Sequence, residues 1–210
     1  MRGTVVSLCD RTGNMVLPWL EAGYDAITVD LQPEANPHPR RRHIVCDVRK
    51  LPPLNCSAAI YFAFTPCTHF AVSGARWFKG KGMGALIEGL TIAEACRQHC
   101  EDSGAPWMLE NPVGTLATYW REPDYYFDPN DYGDPYTKKT CLWTGNGFVM
   151  PPKVMPDDMF SEPTWVEPTL GSMIHRMPPS EDRGDRRSVT PMGFARAVFA
   201  ANARVMKTTE

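Results

Sequence analysis

The chain contains no run of about 18 apolar residues, so nothing in it reads as a membrane-spanning helix. Its first residues read as a strand and not as a charged, then apolar, secretory leader. Its seven cysteines are odd in number and scattered. They show neither a disulfide framework nor the paired spacing of a structural zinc site, which points to a reducing, cytoplasmic setting and to no metal. An excess of one charge is also missing, with 22 Lys and Arg against 24 Asp and Glu and a net charge of −2. There is therefore no global basic signature for nucleic acid. Only local stretches, "HPRRRH" (38–43) and "EDRGDRR" (181–187), carry clustered positive charge. No internal repeat is visible. What remains is a chain of 210 residues, 43% hydrophobic and 22% charged. That is enough for one soluble α/β domain with a real core.

Strand and helix signals alternate through the first half. Short apolar runs at 3–9, 25–33, 41–53 and 58–64 read as strands, and "PWMLENP" (106–112) as a fifth. "AAIYFAF" (58–64) is apolar throughout, as a strand covered on both faces should be. Helices are expected over 15–24, with Pro18 in the first turn, and over 85–104, with Leu86, Ile87, Leu90 and Ala93 on one stripe. Between the fourth strand and that helix lies a glycine-rich loop, "SGARWFKGKGMGA" (73–85). The alternation implies a Rossmann-like, doubly wound, mostly parallel sheet. Beyond residue 113 the pattern loosens into Tyr-, Asp- and Pro-rich loop. The chain closes on an amphipathic helix over 190–206, with Phe194, Val198, Ala201 and Val205 on one stripe. The resulting division is a catalytic domain 1–142, a proline-rich insertion 143–185 and a C-terminal segment 186–210 that packs back.

In a doubly wound sheet, ligands gather at the carboxyl ends of the strands. Every strand here ends in polar residues: Asp10 to Asn14, Asp30, Asp47, Pro66-Cys67 and Glu110-Asn111. Any one such aspartate, taken alone, reads first as a turn or helix cap. Taken alone, Cys67 reads as a small core hydrophobe. Its place after Pro66, at a strand end shared with Glu110, favours a nucleophile. Cys96, His99 and Cys100 fall on one helix, but no second ligand pair at zinc spacing accompanies them, so they read as a packed helix face. Arg40, Arg41 and Arg42 read as a solvated loop, with phosphate contact the second reading.

Four segments, in order, resemble the motifs of DNA cytosine-5 methyltransferases: "SLCDRTGN…EAGYDAITVD", "TPCTHF", "LENP" and "RSVTPMGFAR". Pro66-Cys67 matches the family's nucleophile motif, with Phe70 three residues on. Glu110-Asn111 matches its Glu-Asn-Val, with Pro112 in place of Val. Arg187, Thr190, Pro191, Ala195 and Arg196 match its late Arg-x-Leu-Thr-Pro…Ala-Arg motif. The chain looks like a compact, phage-like form of that family. Cys9, Arg11 and Asn14 replace the usual Phe, Gly and Gly. The basic motif is reduced to Lys138-Lys139-Thr140, and residues 143–185 stand where a target-recognition domain of about a hundred residues would lie.

The resemblance implies S-adenosyl-L-methionine as cofactor. Leu8, Cys9, Asp10, Thr12, Gly13 and Asn14 would form the turn that binds it, with Gly13 letting the backbone approach. Asp30 and Leu31 would meet its ribose side, and Asp47 and Val48 its adenine. Catalysis would fall to Cys67 as nucleophile at cytosine carbon 6 and Glu110 as acid at nitrogen 3. Asn111 would contact the base or position the loop, and Pro66 would accompany the nucleophile. Phe70, Ser73, Arg76, Lys79, Lys138, Lys139, Arg187 and Thr190 would contact substrate. The implied partner is duplex DNA with a flipped cytosine. RNA, a free nucleotide, or a non-catalytic nucleic-acid-binding role stays open. The loop 73–84, with four glycines and Arg76, Lys79 and Lys81, reads as a mobile lid over that site.

Overall fold

The computed structural model describes residues 2–66, 78–154 and 189–205. Seven strands form one sheet: β1 (Thr4–Leu8), β2 (Asp25–Asp30), β3 (Arg41–Val45), β4 (Ala58–Phe64), β5 (Trp107–Pro112), β6 (Tyr125–Phe127) and β7 (Thr140–Gly145). Their order across the sheet is β3-β2-β1-β4-β5-β7-β6. The first five are parallel, and β7 runs antiparallel to both β5 and β6. This is a Rossmann-like, doubly wound α/β fold with one antiparallel strand inserted beside β5.

The side-chain period of two explains the buried strands. Val5 of β1, Ile60 and Phe62 of β4 and Met108 of β5 enter one core layer. Val6 and Leu8, Tyr61 and Ala63, and Trp107 and Leu109 enter the other. The first layer is covered by α1 (Leu17–Glu21) and by the C-terminal helix, through Met15, Val16 and Trp19 on one side and Phe194 and Val198 on the other. The second is covered by α2 (Phe78–Asp102), through Ile92, Ala93, Cys96 and Cys100, and by α3 (Leu116–Tyr119). The C-terminal helix, α4 (Met192–Val205), packs back by stacking Phe194 on Phe127 at 3.9 Å and Phe199 edge-on to Trp19 at 5.0 Å. Asn202 fixes its far end, bonding both the N–H and the carbonyl of Val149 at 2.9 Å.

The structure departs from the sequence reading at several points. β6 and β7 lie in the stretch read as loop, and the boundary drawn after residue 142 falls inside β7. β7 is held by Trp143, whose ring stacks on Trp120 at 5.5 Å and whose Nε1 donates to Arg121 O at 2.8 Å. α1 is shorter than 15–24. It keeps Pro18 in its first turn and stops before Gly23, which takes a left-handed φ of 89°. α2 begins at Phe78, inside the loop read over 73–85, and is broken at Gly82, whose φ of 72° no helix accommodates. The stripe on α2 is also rotated, because Ile87 is 53% exposed while Cys96 and Cys100 are buried. On α4, Ala201 is only half-buried, and Asn202 takes the inward place. No helix among the described residues is long and apolar enough to cross a membrane.

Candidate active site

The turn after β1 is built around Asp10. Cys9 turns the chain with a φ of 54°, and Asp10 is then buried beneath the turn. Its carboxylate accepts from Ser7 Oγ at 2.8 Å, Thr12 Oγ1 at 3.1 Å and Gly13 N at 2.7 Å. Gly13 has a φ of 72°, and a Cβ there would lie 1.6 Å from Arg41 Nη1. What presses on Gly13 is therefore the Arg41 guanidinium, where the sequence suggested a ligand. Arg41 corrects the sequence reading a second time. It opens β3, its side chain is 2% exposed, and it ties the turn to the loop after β2. It donates to Thr12 O at 2.9 Å, to Glu34 Oε2 at 2.9 Å and to Asn36 O. Asn36 Nδ2 returns a bond to Thr12 O at 3.2 Å, and Ala35 N donates to Arg11 O at 3.1 Å. Asn14 reaches across to the start of α4, where its Nδ2 donates to Thr190 O at 3.2 Å.

Asp30, at the end of β2, is half-buried, and Gln32 N donates to its Oδ1 at 2.9 Å. Burial, joined by the nearby Asp10 carboxylate, holds its carboxyl above the ordinary range against that hydrogen bond. Leu31 beside it is 65% exposed. Asp47 stands differently. It caps a single 3-10 turn (Val48–Lys50), and Arg49 clasps both its oxygens, at 3.0 Å from Nε and 2.6 Å from Nη2. That pairing holds its carboxyl below the usual value. Leu8 and Val48 face the core and could offer a ligand only main-chain groups. Cys9 Sγ lies 3.8 Å from Cys96 Sγ, and that contact together with burial pushes the Cys96 thiol far up. Cys96 and Cys100 therefore behave as core side chains.

The ends of β4 and β5 meet at Thr65 and Asn111. Thr65 Oγ1 donates to Glu110 O at 3.3 Å, and Asn111 Nδ2 donates to both the carbonyl and the hydroxyl of Thr65, each at 2.9 Å. Asn111 is fully buried, and its Oδ1 has no partner among the described residues. The Glu110 side chain is only 13% exposed, and among the described residues Lys138 Nζ stands at 3.9 Å from it. Burial raises the Glu110 carboxyl, and Lys138 offsets part of that rise. A pocket opens over this carboxyl, lined by Phe64, Glu110, Phe127, Lys138, Thr140 and Thr190 among others. Glu110, Lys138 and Thr190 come from three distant parts of the chain, and the fold brings them together. Lys139 is not among the lining residues. It lies over the Tyr126 ring at 5.2 Å, on an exposed stretch of the sheet edge.

Cys67, Phe70, Ser73, Arg76 and Arg187 lie outside the described residues, as does the side chain of Lys79. So do residues 73–77 of the expected lid. Sequence reasoning missed Thr65 and Arg41. A hydroxyl directly after an all-apolar strand was the available signal for the first. For the second it was the place of Arg41 at the head of an alternating run, "RRHIV".

No protein-family profile matches the chain, and neither does any curated protein. Among solved structures it is similar to the glycopeptide N-methyltransferase MtfA, alone and complexed with S-adenosyl-L-homocysteine or S-adenosyl-L-methionine, at 15% identity and TM-scores of 0.33–0.34. The match covers 60% of this chain and spans about half of MtfA, 50–52%. A likeness so partial carries nothing about substrate, and the fold assignment stands on the strand order itself.

Proposed function

We propose that the protein transfers a methyl group from S-adenosylmethionine to carbon 5 of cytosine in DNA, through a transient bond to Cys67. The observation that carries this reading is Glu110: a carboxyl with a raised proton affinity, at the floor of a pocket, on the strand next to the one that leads into Pro66-Cys67.

The residues at the other half of the sheet edge fit the cofactor. Asp30 has Oδ2 to accept a ribose hydroxyl, and the exposed Leu31 beside it offers an apolar face to a purine. Asp47 fits less well, since Arg49 already holds both its oxygens. When bound, S-adenosylmethionine supplies an electrophilic methyl group on a sulfonium.

Carbon 5 of cytosine is a weak nucleophile. The Cys67 thiolate adds to carbon 6 while Glu110 gives its proton to nitrogen 3, leaving an enamine that is nucleophilic at carbon 5. Transfer of the methyl group to carbon 5 would leave the donor sulfur as a neutral thioether; loss of the remaining carbon-5 proton to water then lets the thiolate leave from carbon 6 and restores the aromatic ring. Nitrogen 3 returns its proton to Glu110. A free thiol has a pKa of about 8.5, so a fraction is thiolate near neutrality. A neutral Glu110 is the form this step needs, and burial shifts the carboxyl toward it.

A free cytosine nucleotide is the second reading. Residues 146–191, between β7 and α4, are too few for a separate domain that reads duplex sequence. The experiment is incorporation of labelled methyl from S-adenosylmethionine into DNA, RNA and dCMP in parallel, with Cys67→Ser as control. Label on carbon 5 of DNA cytosine, lost in the variant, supports the main reading. Label in dCMP alone moves the proposal to the nucleotide. No label in any of the three, with cofactor bound by calorimetry, overturns it.

A further inference from the structure

The junction between β4 and β5 contains a repair. In a parallel pair, hydrogen bonds alternate along the two strands. Tyr61 stands opposite Trp107 and donates its N–H to Pro106 O at 2.9 Å. Its own carbonyl therefore faces the N–H of residue 108. Carried forward two residues at a time, the same register gives the carbonyl of Thr65 to the N–H of residue 112. Residue 112 is a proline and has no N–H to give. The ladder loses its last rung one residue before Pro66-Cys67. Asn111 Nδ2 lies 2.9 Å from that same carbonyl and supplies the missing donor. Thr65 Oγ1 completes the junction, accepting from Asn111 Nδ2 at 2.9 Å and donating to Glu110 O at 3.3 Å.

We infer that Thr65 and Asn111 form a positioning clamp, which replaces the rung removed by Pro112 and fixes the strand end leading to Cys67 against the strand end carrying Glu110. The inference rests on the reaction proposed above for its purpose, though not for its existence. Among the described residues, their side-chain hydrogen bonds are with each other and with the Glu110 main chain, which makes them positioning residues. The clamp sets the spacing between nucleophile and acid, a quantity to which rate is steep and to which binding is not. Burial supports a built junction: Thr65 is 3% exposed and Asn111 fully buried, so water does not compete for these bonds.

The test compares Thr65→Val, which keeps the shape and removes the hydroxyl, with Thr65→Ser, which keeps the hydroxyl. Both are measured by kcat and KM on a cytosine substrate and by amide hydrogen exchange of the peptide spanning residues 61–66. A misplacement near 1 Å costs on the order of 100-fold in rate, so Thr65→Val should lose roughly 10- to 100-fold in kcat with little change in KM. Thr65→Ser should stay close to the parent. Equal losses in the Val and Ser variants, or a loss confined to KM, would overturn the clamp. If the parent protein modifies no cytosine substrate, the reaction is wrong and exchange alone decides. Faster exchange in Thr65→Val but not in Thr65→Ser keeps the clamp, and identical exchange in both removes it.

Discussion

The two halves of the sheet's carboxyl edge treat their acids in opposite ways. On the β1–β3 side, Asp10 is saturated by three hydrogen bonds from its own turn, and Asp47 by a two-pronged arginine. On the β4–β5 side, Glu110 is buried with one cation at 3.9 Å, and Asn111 keeps a buried oxygen without a partner among the described residues. A saturated acid holds a frame. An unsaturated one stores the tendency to take up a proton or a partner, and chemistry uses that tendency. Asp30 stands between the two, with one oxygen engaged and its carboxyl raised by burial. The comparison thus separates four of the five polar strand ends, alike in sequence, into saturated carboxylates (Asp10, Asp47), a half-engaged one (Asp30) and an unsaturated end (Glu110-Asn111).

The sharpest way to break this comparison is Glu110→Gln. It keeps the shape and removes the transferable proton. Loss of general acid help is worth about 10²–10⁴ in rate, and that range is expected for methyl incorporation into cytosine. A change below about threefold would place Glu110 with the frame acids. On the other side, Arg41→Met should cost stability and not chemistry. It strands the Glu34 carboxylate and the Thr12 and Asn36 carbonyls. Breaking a buried pair costs roughly 3–5 kcal/mol, and the lower end applies because Glu34 is 31% exposed. Urea denaturation measures it, and an unchanged midpoint would reduce Arg41 to a surface residue.

Asp30, proposed above to meet the ribose, comes next in size. Asp30→Asn should weaken S-adenosylmethionine by roughly 1–3 kcal/mol, the cost of a buried polar partner left unmatched. Asp47→Asn should weaken it by much less, because Arg49 already occupies that carboxylate. Calorimetry on the two variants separates them. Equal losses would mean that Asp47 exchanges Arg49 for ligand, and that the cofactor side is less saturated than its hydrogen bonds imply.

Much of this was legible in the sequence, and the failures share a cause. β4 announces itself because a strand buried on both faces needs an unbroken apolar run, and "AAIYFAF" is one, whereas the edge strand β3, "RRHIV", shows only a short alternating run. β6 and β7 do not announce themselves, because an edge strand three residues long and its neighbour carry Tyr, Thr and Cys instead of Val and Ile. The strand ends were legible as a set, since the fold places ligands there. Which aspartate is saturated was not, because saturation depends on how each turn folds: Ser7, Thr12 and Gly13 all aim at Asp10, and Arg49 folds back on Asp47. Nor were the contacts between distant residues legible, such as Arg41 with Thr12 and Lys138 with Glu110. Asn111 was visible as a supporting residue. Its partner Thr65 was hidden, because the need for a clamp appears only once the register puts Pro112 opposite an unpaired carbonyl.

The smallest expected effect is a pair of opposite pH slopes, one for each side of the edge. Asp47 is held below its ordinary value of 3.8 by Arg49. The folded chain then binds that proton more weakly than the unfolded chain does. Its stabilising contribution is present above the unfolded value and is lost as pH falls through the folded one. Glu110 is raised above 4.5 by burial, so the folded chain binds this proton more tightly. Its contribution is largest below 4.5 and is lost as pH climbs through the raised folded value. Asp47→Asn should therefore flatten the acid limb of a stability-versus-pH curve and leave the neutral limb alone. Glu110→Gln should do the reverse, and above the folded pKa it should be more stable than the parent, because a buried charge has been removed. Thermal melts from pH 3 to pH 8 read both slopes. If Glu110→Gln melts below the parent at pH 8, the ionised carboxylate has a better partner than Lys138 at 3.9 Å. Glu110 would then be a saturated acid like Asp10, and the contrast between the two halves of the edge would fall.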